Sequence, residues 1–180
     1  MKALLTKAWK ILRLPKGAQI AIMRVTQDEF LIGVTGIILN QNNEVLVCKH
    51  TYRKGHAWSL PGGYLKGKEH PKEGLAREIE EETGYIVRVE EQFNLKTDRD
   101  TARIDISLIG RLVGGKFRES NEVSEANFFP ADKLPLISRN QLVLIKKVLD
   151  YKQVKSNETV IADIKKLTLW ERIKFVLGRY

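Results

Sequence analysis

The order in which two hydrophobic periodicities follow one another predicts an α+β domain with a mixed sheet. Alternating apolar runs come first, a helical pattern covers 71–83, further alternating runs lie between 86 and 129, and a second helical pattern covers 138–151. A hydrophobic share of 43% with 29% charged residues suits a single packed domain within the 180 residues and excludes low-complexity or disordered chains. The lone cysteine, Cys48, rules out an internal disulfide framework and a multi-cysteine zinc site, so a reducing, cytoplasmic setting is expected.

The elements follow in order. Leu4, Leu5, Ala8, Trp9 and Leu12, with Lys2, Lys7, Lys10 and Arg13 between them, predict a basic amphipathic helix within 1–17 that Pro15 ends. From Ala18 onward Ile20, Ile22 and Arg24 alternate with their neighbours, and strands are expected to begin there; Phe30 to Leu39 continues as an apolar, β-rich run. Asn40 to Asn43 has turn chemistry, and Glu44 to Lys49 reads as the returning strand of a hairpin. A loop from His50 to Leu60 leads to Pro61-Gly62-Gly63. A helix from Pro71 to Thr83 follows, closed by Gly84. Strands are expected at 86–89, 104–112 and around Phe128-Phe129. The last core helix, 138–151, would turn Leu142, Ile145, Val148 and Leu149 inward. Beyond Lys152 the polar Lys155-Ser156-Asn157-Glu158 reads as a connection to a second basic amphipathic helix with Leu169, Trp170, Ile173, Val176 and Leu177 on one face. The expected organisation is thus an N-terminal helix over 1–17, a domain over 18–151 and an extension over 152–180.

Charge separates the ends from the body. The formal net charge is +9, of which residues 1–30 and 151–180 each contribute +4 and the middle 120 residues +1. A nearly neutral body offers little to a polyanion, so any nucleic-acid or lipid partner would be met by the flanks. Lys7, Lys10 and Arg13 break the stretch a signal peptide would need, and no apolar run reaches membrane-spanning length. The two Trp-bearing helices are expected to pack on the domain or on a second subunit in a homodimer. Weak attachment to an anionic membrane surface is the lesser alternative.

The densest acidic cluster is Arg77-Glu78-Ile79-Glu80-Glu81-Glu82. On a helical wheel Glu78, Glu81 and Glu82 share a sector of about 100°, while Leu75 and Ile79 lie opposite. Like charges three and four residues apart repel, so the cluster needs cations. Arg77, one turn from Glu81, offsets part of the repulsion, and a divalent ion with hard oxygen ligands suits the remainder. Gly74, one turn before Glu78, and Gly62-Gly63 leave room for an approaching phosphate. Glu69 can fold back toward the same face.

Gly63, Glu69, Arg77, Glu78, Ile79, Glu81, Glu82 and Gly84 together resemble the Nudix box: a glycine, five residues, Glu, seven residues, then Arg-Glu-apolar-any-Glu-Glu-any-Gly. Seven fixed residue types at about 7% each give a chance coincidence of order one in 10⁸ per starting position. Trp58 to Gly63 resembles the usual lead-in. The resemblance implies an α/β/α sandwich and hydrolysis of nucleoside diphosphates linked to another moiety, with Mg²⁺ or Mn²⁺. By position it implies that Glu78, Glu82 and the Gly63 carbonyl hold metal. Glu81 would ligate a further metal or help activate water, Arg77 would hold the carboxylates, and Glu69 would be a supporting ligand. It further implies a distal metal ligand or base at Glu122, with Glu125 the less favoured alternative. Tyr85 departs from the aliphatic residue that usually closes the box, a variation expected to be one of packing. Lys66 and Lys68 replace the more usual Glu and Gly and are expected to be solvated.

Beside the box, Tyr52, Arg53 and Lys54, flanked by His50 and His56, form a basic aromatic loop suited to phosphate contact and base stacking, with Arg53 the best placed. Trp58 and Cys48 are expected in the core. Residues 100–103 hold neither the proline that the resemblance associates with ADP-ribose hydrolases nor the tyrosine of diadenosine-polyphosphate hydrolases, and the coenzyme A lead-in is absent. Nucleoside triphosphates, damaged nucleotides, nucleotide sugars and RNA 5′ ends remain as substrates. A nucleotide-binding regulator without turnover is the non-enzymatic alternative.

Overall fold

The computed structural model describes residues 14–27, 29–53, 55 and 57–166, with side chains as far as 156. The expected amphipathic helices within the first 13 residues and at 169–177, and the substrate-contact candidate Lys54, lie outside that range. Ten elements follow in order: α1 (Lys16–Thr26), β1 (Leu31–Leu39), β2 (Val45–His50), β3 (Trp58–Ser59), β4 (Gly62–Tyr64), α2 (Pro71–Thr83), β5 (Tyr85–Asp98), β6 (Arg103–Gly115), β7 (Val123–Phe129) and α3 (Arg139–Lys166).

The strands form one mixed sheet of order β3-β2-β1-β6-β5, with β4 beside β1 and β7 beside β2. β1 and β6 run parallel from Leu31↔Arg103 to Leu39↔Arg111, and the remaining pairs are antiparallel. Alternation along β1 and β2 divides the core in two. Val34, Ile38, Leu46 and Cys48 meet Leu75 and Ile79 of α2 on one face. Ile37, Leu39, Val45 and Val47 meet Ile145 and Val148 of α3 on the other. The result is the α/β/α sandwich. Leu75 and Ile79 are fully buried, and each contributes about 1.5–3 kcal/mol toward fixing the helix that carries the acidic cluster.

α2 keeps its expected limits because its ends are written locally. The His70 side chain accepts from the Lys72 amide, the Glu73 side chain accepts from the His70 amide, Pro71 opens the first turn, and Gly84 takes the left-handed conformation (φ 74°) that closes the last. The Asn40 turn also forms as expected, with Asn40 Oδ1 accepting from the amides of Asn42 and Glu44.

Four expectations are corrected. Residues 16–26 form a helix rather than the first strand. The alternation of Ile20, Ile22 and Arg24 is short, and Ala18, Gln19, Ala21 and Met23 favour the helix once Pro15 has fixed its start. None of its residues is buried. β5 extends to Asp98 rather than ending at Val89, since pairing with β6 carries it through the polar residues 90–98. α3 continues past Tyr151 to Lys166, because Lys155-Ser156-Asn157 contains neither Gly nor Pro and costs the helix only tenths of a kcal/mol per residue (~0.5). Leu142, expected inside, is exposed, while Ile145 and Val148 are buried.

Candidate active site

The acidic cluster is organised by Arg77. Its Nε donates to Glu69 Oε1 at 2.7 Å and its Nη2 to Glu69 Oε2 at 3.0 Å; Nη1 reaches Glu78 Oε1 at 2.9 Å and Glu81 Oε2 at 3.0 Å; Nη2 also reaches the Tyr64 carbonyl at 3.3 Å. One planar fork therefore ties the loop before α2, the helix and β4 together. The Lys66 amide adds a bond to Glu69 Oε2 at 3.0 Å. These bonds, the Arg77 pairing first among them, hold the Glu69 carboxyl down at about 2. Its carboxylate partners hold Arg77 above its usual range.

Glu82 is placed differently. It is 6% exposed, its Oε2 has no hydrogen-bond partner among the described residues, and the Gly62 amide is the donor that reaches it. Burial, with Glu78 and Glu122 adding repulsion, pushes its carboxyl up from 4.5 to about 7. Gly63 presses directly on Glu78: a Cβ there would stand 2.4 Å from the Glu78 carboxyl carbon. Any side chain at 63 would displace Glu78 or β4. Gly74 is tight for the same reason, its missing Cβ leaving room for Leu65 and the Glu69 carboxylate.

Glu122, just before β7, faces Glu78, Glu81 and Glu82 across a hollow of about 220 Å³. Glu125 instead pairs with Lys49 on β2 and lines neither this hollow nor the main cleft. The main cleft, about 590 Å³, is bounded by Glu78, Glu82 and Glu122 at one wall and by Tyr52 and Arg53 from the loop after β2. The Arg53 guanidinium lies 6.0 Å from the Tyr52 ring centre, and that ring leans on His50 at 5.4 Å. His50 is buried, and burial with Arg53 nearby lowers its imidazole from 6.5 to about 4.

The structure thus brings together Gly63, Glu78, Glu81, Glu82, Glu122, Tyr52 and Arg53, and sets Glu69 behind Arg77. Lys66 Nζ reaches Glu81 Oε1 at 3.5 Å, whereas Lys68 is exposed. Tyr85 packs edge-on against Phe128 and Trp58 against Phe129, and Cys48 is buried in β2, its thiol pushed upward chiefly by burial. The cleft is also lined by Tyr64, Arg103, Asp105 and Gln141, which the sequence reading did not single out. Arg103 and Asp105 interrupting an apolar strand at alternate positions was the available signal.

The carboxylates fit a hard divalent cation. They offer only oxygen donors, and Glu82 holds a buried oxygen that no donor satisfies. Among the described residues no three acidic, histidine or cysteine side chains close around an ion by themselves.

The molecule is thus a mixed-sheet α/β/α sandwich whose acidic helix faces an open cleft. The NUDIX domain model matches residues 29–149, and the chain belongs to the Nudix hydrolase family. It is a hydrolase of phosphoric anhydrides, and the family generally works with divalent metal ions. An ADP-ribose pyrophosphatase of Methanocaldococcus jannaschii is 30% identical over 125 residues, 67% of this chain and 74% of that one. An RNA pyrophosphohydrolase of Zymomonas mobilis is 43% identical over 61 residues, 34% of this chain and 39% of that one. Among solved structures, a UDP-X diphosphatase superposes with a TM-score of 0.61 at 23% identity, covering 83% of this chain and 79% of the other. A NUDIX hydrolase from Nitrosomonas europaea gives 0.63 at 21% identity, covering 71% and 74%. These structural likenesses concern the fold. Among the described residues no helix is long and apolar enough to cross a membrane.

Proposed function

We propose that the protein hydrolyses the pyrophosphate linkage of a nucleoside diphosphate derivative, using Mg²⁺ or Mn²⁺. The observation that carries this reading is the buried Glu82 carboxyl, its Oε2 unsatisfied, standing beside Glu78 and facing Glu122 at the wall of a nucleotide-sized cleft. Glu78, Glu82 and the Gly63 main chain would hold the cation, with Glu81 and Glu122 available to a further one. A bound divalent ion lowers the pKa of water and neutralises charge on the phosphates. Arg53 supplies a cation for the phosphates, and Tyr52 a ring beside them. Glu81 or Glu122 takes the proton of the attacking water as its oxygen bonds to phosphorus and the bridging P–O bond breaks, so that one water is consumed and two phosphate-bearing products leave. Glu69, with both oxygens held by Arg77, acts as the support of that arginine rather than as a ligand.

The Methanocaldococcus relative's name favours a substrate in which a diphosphate joins two moieties. Purified protein is to be assayed with ADP-ribose, UDP-sugars, nucleoside triphosphates and 5′-triphosphorylated RNA, with Mg²⁺, with Mn²⁺ and with EDTA. Metal-dependent turnover of a small nucleotide is expected. Turnover of RNA alone would move the assignment to RNA 5′ ends, and binding without turnover of any of them would make the protein a regulator.

A further inference from the structure

The sheet face toward α3 carries a polar group that the cleavage chemistry leaves unused. Strand register sets Tyr64 of β4 and Asp105 of β6 on either side of Gly33 of β1. Registered neighbours share a face, and Gly33 shares its own with Ile37 and Leu39, which pack toward α3. Arg103 joins the group: its Nε and Nη2 donate to Asp105 Oδ2 at 3.2 and 3.0 Å, and its side chain also interacts with that of Tyr64. Arg103 thus spans from β6 to β4 over the strand between, a reach that the missing side chain at Gly33 permits. The second carboxylate oxygen, Asp105 Oδ1, lies over the same glycine; a Cβ at 33 would stand 2.9 Å from it.

All four residues line the cleft that Glu78 and Glu82 wall at its other side. Those glutamates come from α2, on the opposite face of the sheet, so the cleft is reached from both faces beside the short strand β4. A substrate whose phosphates meet the glutamates has its remaining part free to extend toward Gly33. The chemistry there is wrong for phosphate: Asp105 is anionic, and the Arg103 charge is already paired with it. A carboxylate oxygen over an open glycine instead accepts neutral N–H or O–H donors, and the half-exposed Tyr64 ring beside it offers a stacking surface.

We infer that Asp105, held by Arg103 over Gly33 and flanked by Tyr64, is the acceptor for the nucleoside end of the substrate, taking donors from the ribose hydroxyls or from a base amino group. The inference rests on the nucleotide reading above. A site built to accept a donor discriminates strongly against a ligand that lacks one.

The test is the steady-state kinetics of the full chain and its Asp105→Asn and Asp105→Ala variants on the substrate that the panel identifies. Calorimetric binding of the corresponding nucleoside monophosphate in EDTA is measured alongside. KM is expected to rise about tenfold or more in both variants, with the loss falling on KM rather than kcat, and monophosphate binding to weaken in parallel. Ribo and 2′-deoxy substrates identify the donor: if it is a ribose hydroxyl, the wild-type preference for the ribo form disappears in Asp105→Asn. If it is a base amine, the preference between bases disappears. Unchanged KM and unchanged monophosphate binding in both variants, with the wild type active, would overturn the inference and leave the proposed hydrolysis standing. Absence of turnover by the wild type would overturn the hydrolysis, and monophosphate binding lost in Asp105→Ala would still support the subsite. No monophosphate binding by the wild type would overturn the subsite as well.

Discussion

Glu82 gives the structure a pH dependence that can be worked out in sign and size. Its carboxyl rises from 4.5 when unfolded to about 7 when folded, first because it is buried. Between those values the folded state holds a proton that the unfolded state has released, so stability falls as pH rises through the interval. At about 1.4 kcal/mol per pH unit of difference, the metal-free protein loses roughly 3 kcal/mol across it. His50 works in the opposite direction: burial and Arg53 lower it from 6.5 to about 4, so the unfolded state binds the extra proton and stability rises with pH there. The two windows overlap, and the wild-type curve alone is therefore shallow. Glu82→Gln separates them, because glutamine keeps the size and does not titrate. Urea unfolding in EDTA at half-unit steps from pH 4.5 to 8 should show Glu82→Gln gaining on the wild type by about 3 kcal/mol toward pH 8, while its own stability climbs with the His50 slope. Saturating Mg²⁺ should remove the gain by stabilising only the wild type. A wild-type minus variant difference that stays flat with pH would refute the buried-carboxyl account.

Glu78→Gln and Glu82→Gln are each expected to lower kcat by about 10²-fold or more with the fold intact by circular dichroism, and EDTA to abolish wild-type turnover. Full activity in EDTA would remove the metal assignment. Glu122→Gln should reduce turnover well beyond Glu125→Gln, since Glu122 faces the carboxylates and Glu125 is spent on Lys49; equal effects in rate assays would return both to the surface. Arg77→Lys keeps the charge but loses the fork that reaches Glu69, Glu78 and Glu81 together, and denaturant unfolding should register a modest loss of stability with a raised Mg²⁺ requirement. Stability and metal requirement both unchanged would show that the glutamates are positioned by the backbone alone.

What the sequence disclosed follows how local each cause is. The α2 limits depend on His70, Pro71, Glu73 and Gly84, all within a turn of the ends they fix, and the carboxylate face depends only on helical spacing. Residues 18–24 satisfy both periods over too short a run to separate strand from helix, and the choice belongs to residues such as Ala21 and Met23 that carry no alternation. β5 ran past its apolar residues because β6 supplies its hydrogen bonds, a partner that the 90–98 stretch does not announce. Arg103 and Asp105 were missed for the same reason. Their meaning lies in the parallel register of β6 on β1, which brings residue 105 beside residue 33, and nothing in a linear reading fixes that register.

The proposed role of Glu69 as the support of Arg77 follows from the charge balance. Arg77 has one unit of positive charge to distribute among four nearby carboxylates, and it does so unequally. Glu69 receives two bonds and an amide from Lys66 as well; Glu78 and Glu81 share a single terminal nitrogen; Glu82 receives none from the arginine. The acidity of the two extremes follows that order, with Glu69 held at about 2 and Glu82 raised to about 7. Uncompensated charge therefore accumulates away from Glu69, toward Glu82, Glu78 and Glu122. A divalent cation gains most where protein cations are fewest and where a buried carboxyl already has an oxygen that no donor satisfies. In the proposed mechanism this places the metal at the Glu82 end and makes the Arg77–Glu69 pair the rigid support against which Glu78 is held, so that Glu69→Gln should loosen Arg77 and weaken metal binding less than Glu82→Gln does.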